Sequence, residues 1–191
     1  MFGTYVFESR GLGDKMNWVA GGGPSTMFPS LQTKQFDAIM AVPSWVVEAE
    51  TKGFGKAIYD TSQPDVFNRD FGGTLPVLVL YALEDTVQQD RGIAQAVVNA
   101  FYRAMQWVKA APLDDVYALV ADKYFSGIDP VAVKKEVGFD KGTWAYDGRI
   151  DKASWDRGAK PWYRQGTDIP ETKYEDVVDM SFLDAAQAKY K

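Results

Sequence analysis

An α/β fold is what this sequence predicts, and three observations predict it. Apolar, β-prone runs alternate with helical patterns between Asn17 and Glu48, giving the order strand, turn, helix, strand, turn, helix. Glycine and proline punctuate the junctions: the run Met16–Ala20 stops at Gly21-Gly22-Gly23-Pro24, and the run Asp37–Val42 stops at Pro43-Ser44-Trp45. Both turns therefore fall where a strand's carboxyl end meets a helix's amino end, the place an open α/β sheet holds its ligand.

The residue types bound the chemistry. With 191 residues, 46% of them hydrophobic, the chain has enough material for one ordinary domain or two small ones. Cysteine and histidine are both absent. That removes disulfides, thiolate nucleophiles, imidazole bases and most transition-metal sites, so no catalytic residue, cofactor or metal is expected. A net charge of −5 with scattered basic residues argues against nucleic acid as a partner. No apolar run is long enough to span a bilayer, and no signal peptide is evident in this chain.

Taken in order, residues 2–13 read as a short helix, in which Gly3-Thr4 is either a helix start with main-chain N–H groups facing a ligand or a frayed terminus. The glycine triplet is either a close-approach turn or a plain loop, after which Ser25 or Thr26 caps a helix and Pro29 falls in its first turn. Phe36–Val42 has the apolar character of a buried parallel strand. The helix opened by Pro43-Ser44-Trp45 ends at the glycine cap in Lys52-Gly53-Phe54-Gly55, and residues 56–60 read as a third strand. Trp45 either stacks on a ligand or packs in the core.

Residues 61–73 read as a linker or surface loop, and Thr74–Tyr81, TLPVLVLY, as a strand kept to an edge by Pro76. The clearest helix runs from Arg91 to Ala110, with Asp90 as its cap, Pro112 beyond its end, and a stripe of Ile93, Val97, Phe101, Met105 and Val108 expected to pack in the core. Helices follow at Leu113–Tyr124, after Asp129-Pro130, around Asp151–Gln165, and from Tyr174 to Tyr190. Residues 138–148 read as an aromatic loop in which Trp144 and Tyr146 either reach a ligand or hold the loop to the core. Among the 26 acidic residues most lie on polar helix faces or at caps, leaving Asp147 as the one carboxylate to watch.

The collinear order GGGPSTMFPSLQTKQFDAIMAVPSW, KGFGKAIYD, LPVLVLY and RGIAQAVVNAFYRAMQWVKAAP, closing on WAYDGRIDKASWDR and YEDVVDMSFLDAA, resembles the nitrate/sulfonate/taurine-type substrate-binding proteins of ABC importers. Relatives that bind thiamine pyrimidine precursors share the pattern. The resemblance implies a type II periplasmic-binding-protein-like two-lobe clamshell, with Met1–Phe71 as part of the second lobe and Gly72–Lys191 returning to the first. It also implies an N-terminally truncated chain, since such proteins begin with a signal peptide and most of the first lobe. The full-length form would be periplasmic or extracytoplasmic. Its partners would be a small solute, the ABC permease and the ATPase subunit.

By that resemblance the ligand-binding residues are Thr4 and Tyr5, then Gly22, Gly23 and Ser25, then Pro43, Ser44 and Trp45. A sulfonate, taurine or nitrate would suit helix amino termini, and a heteroaromatic precursor would stack on Trp45 and Tyr5. Two other readings stand beside it. One is a same-fold enzyme of pyrimidine biosynthesis, whose histidine and cysteine chemistry has no bearer here. The other is a stand-alone, self-associating binding module that covers exposed apolar surface.

Overall fold

The structure is a computed structural model that describes residues 2–163 and 168–190. Among the described residues 59% of the chain is helix and none is strand. In order the helices are α1 (Phe2–Glu8), α2 (Pro24–Gln32), α3 (Pro43–Thr51), α4 (Pro64–Phe71), α5 (Glu84–Gln89), α6 (Arg91–Ala110), α7 (Leu113–Tyr124), α8 (Pro130–Thr143), α9 (Lys152–Ala159), α10 (Tyr174–Val177) and α11 (Ser181–Lys189), with a 3-10 turn at Gly13–Lys15.

This overturns the α/β two-lobe clamshell. The four runs read as strands, 16–20, 36–42, 56–60 and 74–81, carry no regular structure. Trp18, Val19, Met40, Val42 and Ile58 in the first three are exposed. The physical reason is the partner each element needs: a helix closes its main-chain hydrogen bonds within four residues, whereas a strand closes them only on a neighbouring strand. Here each run lies between helices and pairs with none of the others.

The chain forms two compact units. The first comprises Met1–Val66 with Pro112–Thr143. Its centre is α8, which packs against both α3 and α7. Ala132, Val133 and Val137 of α8 are buried there, as are Ala49 of α3 and Val116 of α7. Lys134 of α8 pairs with Asp114 of α7. The start of α8 is fixed by Asp129, whose carboxylate accepts from the Val131 and Ala132 N–H groups at 2.9 and 3.0 Å.

The second unit comprises Phe67–Ala111 with Trp144–Lys191, built on the packing of α6 against α11. Phe182, Leu183 and Ala186 of α11 are buried. Asp90 caps α6 as its position suggests, accepting from Ile93 N–H at 3.0 Å. The apolar stripe of α6, however, is not in the core: Ile93 is 61% exposed and Phe101 51%. The less exposed side of α6 is mixed, with Ala94, Val98 and Tyr102 half-buried beside Gln95 and Asn99. Arg91 lies 4.5 Å over the Phe182 ring, and Gln95 donates to the Phe182 carbonyl at 2.8 Å and to Asn99 at 3.0 Å. Those hydrogen bonds and the cation–π contact add to the apolar packing on that side.

Other boundaries shift for local reasons. Residues 61–73 hold α4, whose Pro64 and Asp65 are a helix-start pair, and Phe67 and Phe71 stack one turn apart at 4.9 Å. Residues 138–143 belong to α8. The final helix is interrupted at Asp179, whose carboxylate accepts from Ser181 N–H at 2.9 Å and restarts the chain as α11. The helix expected to reach Gln165 ends at Ala159, and Arg164 and Gln165 lie outside the described residues.

Two helix ends share one motif with different residues. After α3, Gly53 at φ +73° allows Phe54 N–H to reach the Ala49 carbonyl at 3.1 Å and Gly53 N–H to reach that of Glu50 at 3.1 Å. After α2 the same pair of bonds runs from Gln35 to Ser30 (2.9 Å) and from Lys34 to Leu31 (3.1 Å), but the left-handed position is Lys34, at φ +60°. A side chain in that conformation costs about 1 kcal/mol. Lys34→Gly is therefore expected to raise stability by roughly 0.5–1 kcal/mol in urea denaturation, whereas Gly53→Ala should lower it by a similar amount.

Candidate functional site

The residues expected to bind a ligand lie in three places, all in the first unit. Thr4 and Tyr5 are half-buried on α1. That helix is held by Val6 in the core and by Phe7, whose ring meets Trp18 edge-on at 5.8 Å. Arg10 donates to the Val6 carbonyl at 2.8 Å and finishes the helix.

Gly22, Gly23 and Ser25 are exposed at the start of α2. The cap is Gly23 and not Ser25 or Thr26, which puts Pro29 in the helix interior instead of its first turn. The Thr26 hydroxyl instead folds back on the turn, 2.7 Å from the Gly21 carbonyl and 2.8 Å from that of Gly23. Gly22 is at φ +71°, and a Cβ there would stand 2.7 Å from Thr26 Oγ1. The conformation and the close approach both require glycine, and the atom approached belongs to the protein itself.

Pro43, Ser44 and Trp45 open α3, and two of them have structural partners. Ser44 is 1% exposed. Its main-chain N–H, one of the donors a helix leaves free at its amino end, donates to Glu136 Oε2 of α8 at 3.1 Å. Glu136 thus sets a negative charge at the positive end of α3. Trp45 lies 5.7 Å from Phe28 of α2, which in turn meets Phe54 at 5.3 Å. The ring serves to join α2 to α3. An anion site can be read from the sequence at this helix end, and the chain's own carboxylate takes the position.

One turn along α8 from Glu136 is Asp140, half-buried. Burial pushes its carboxyl above the usual aspartate range, and the Glu136 charge adds to the effect. Asp147 sits in the loop between α8 and α9, where its carboxylate accepts from Arg149 N–H at 3.1 Å and its carbonyl accepts from Gln187 at 2.9 Å. That loop is tied down on its other side by Gln106, which donates to the Tyr146 carbonyl at 2.6 Å.

A cavity of about 620 Å³ opens in the second unit, lined among others by Lys152, Trp155, Asp156, Lys160, Glu171 and Tyr174. Several of its polar groups have partners within the protein. Lys152 donates to Asp156 at 2.9 Å, which raises the lysine's pKa. The Tyr174 hydroxyl donates to the Ile150 carbonyl at 2.8 Å, and Trp155 meets the Tyr174 ring edge-on at 6.2 Å. Among the described residues, no group of three or more acidic side chains is placed to hold a metal ion.

A further surface lies in a run whose composition reads as a strand. From Val77 to Leu83 the second unit presents apolar side chains to solvent, Leu78 at 89% and Tyr81 at 93% exposure. The signal available in the sequence is the absence of any charged residue between Gly72 and Ala82.

No protein-family model, no curated protein and no solved structure matches this chain. With no match and no strand among the described residues, the resemblance to importer substrate-binding proteins is overturned. Shared short apolar and glycine patterns produced it, and those patterns do not fix how the chain pairs.

Two substitutions test the α3–α8 junction. Glu136→Ala should lower stability by about 1–2 kcal/mol, because it leaves a buried N–H of Ser44 without its charged acceptor. Asp140 acts in the opposite sense. A carboxyl whose folded-state pKa is raised contributes stability fully below the ordinary aspartate range and loses it as pH rises through the raised value. Asp140→Asn is expected to stabilise at neutral pH and to make no difference in acid, as followed by urea midpoints across pH.

Proposed function

We propose that this chain works by binding and not by catalysis, and that it is a self-associating module whose second unit is completed by another copy. The observation that carries this reading is surface area. The chain exposes 13301 Å², whereas a monomeric protein of its 21.3 kDa ordinarily exposes about 9,100 Å². Two free-standing globules of half that mass would together expose about 11,000 Å², and the chain exceeds that reference too. That surplus, roughly 2,000 Å² per chain, is of the size that obligate dimers bury.

The composition of the exposed surface agrees. In the second unit the run Val77–Leu83 and the α6 stripe of Ile93, Val97 and Phe101 all face solvent, and such apolar area on a protein marks an interaction face. The missing histidine and cysteine leave the common nucleophilic and imidazole mechanisms without bearers. Glu136 has a structural partner in Ser44.

Sedimentation velocity over a wide concentration range tests the proposal. A mass of twice 21.3 kDa or more, falling to the monomer on dilution, is expected. The double substitution Leu78→Lys and Tyr81→Lys should shift that transition to at least tenfold higher concentration while leaving helical circular dichroism unchanged. A monomer at every concentration overturns the reading.

A further inference from the structure

Resting on that reading, the geometry points to how the two copies join: residues 75–83 of one chain pair with the same residues of the other as antiparallel strands across a two-fold axis at Val79. The segment is clamped at both ends and free between them. At its start Arg157 Nε donates to the Thr74 carbonyl at 3.1 Å. Pro76 is seated on α9, where a Cβ on Gly158 would stand 3.1 Å from Pro76 Cδ. At its end Leu83 becomes the cap of α5, its carbonyl accepting from Val87 N–H at 3.1 Å. Between the clamps no main-chain group of residues 75–82 bonds to another described residue.

The carbonyls of these residues and every N–H but the one Pro76 lacks are open, and the run, uncharged and rich in β-branched and large apolar side chains, can pair as a strand once the bend at Leu78 straightens. Another copy of the segment supplies one, since an isologous contact needs only a self-complementary surface. The register follows from two constraints. Pro76 has no N–H, so it must occupy a non-hydrogen-bonded pair, which makes the odd-numbered residues the bonded ones. Full overlap between the clamps places the centre at Val79, opposing Val77 to Tyr81 of the other copy and Leu78 to Leu80.

The chain contains no cysteine, so single cysteines report this register directly. Under mild oxidation Val79→Cys is expected to form a disulfide-linked dimer by itself, its directly opposed mate lying about 5.5 Å away between Cα atoms. Val77→Cys and Tyr81→Cys should each stay unlinked alone and cross-link when mixed. Cross-linking of all three variants alone means a parallel register and overturns the proposal.

The unaltered protein gives an independent readout: a β-sheet amide I component should grow with the dimer fraction. Val79→Pro should weaken dimerisation by about 30-fold and abolish that component, because each copy loses a ladder bond. Dimerisation without the β component, and without cysteine selectivity, leaves self-association standing and overturns strand pairing. A monomer throughout overturns both.

Discussion

Closure of main-chain hydrogen bonds is the constraint on which the rest of this structure depends. Each helix satisfies its interior locally, so what varies along the chain is how its ends are finished. Asp90, Asp129, Asp151 and Asp179 finish four of them with carboxylates that accept from N–H groups two or three residues on, at 2.7–3.0 Å. Gly53 and Lys34 finish two more at the carboxyl side through left-handed backbone. The start of α3 has no such local device, and Glu136 supplies the acceptor from a distant helix. The stretch 75–82, like 37–41, is closed by none of these devices.

The same constraint explains what could be read from the sequence. Asp90 and Pro112 bracket α6 to the residue, Lys52-Gly53 marks the end of α3, and Asp129-Pro130 opens α8, because each signal acts within a few positions of itself. A strand has no such signal. Its composition shows that it could pair, but the partner is a separate segment, and nothing local in Phe36–Val42 or Thr74–Tyr81 names one. The α/β expectation assumed those partners, and the family likeness rested on the same short apolar runs.

The candidate site divides in the same way. That Ser44 lies at a helix amino end with a free donor was legible from Pro43-Ser44-Trp45. Its acceptor was not, since Glu136 is 92 positions away and reaches α3 only through the packing of α8. Trp45 likewise shows itself as an aromatic at a helix start, but Phe28 as its neighbour depends on α2 meeting α3. Periodicity misled differently at α6. Ile93, Val97 and Phe101 do form a continuous stripe, but the helix turns Ala94, Val98 and Tyr102 inward together with Gln95, whose amide donates to the Phe182 carbonyl.

An unpaired apolar strand ordinarily invites open-ended stacking, and the position of Pro76 bears on why this one would stop at two. The bonds of a strand point alternately to its two edges. Joining through the odd-numbered residues leaves the even-numbered ones facing outward, and that outer edge includes Pro76, which has no donor to offer. The same side of the strand start is also closed by α9, where Pro76 rests on Gly158. Glu84 and Asp85 follow the run directly, and their repulsion would accumulate along a stack of identical chains. One edge is thus complete in its donors and the other is interrupted, an asymmetry that favours a closed pair over a fibre.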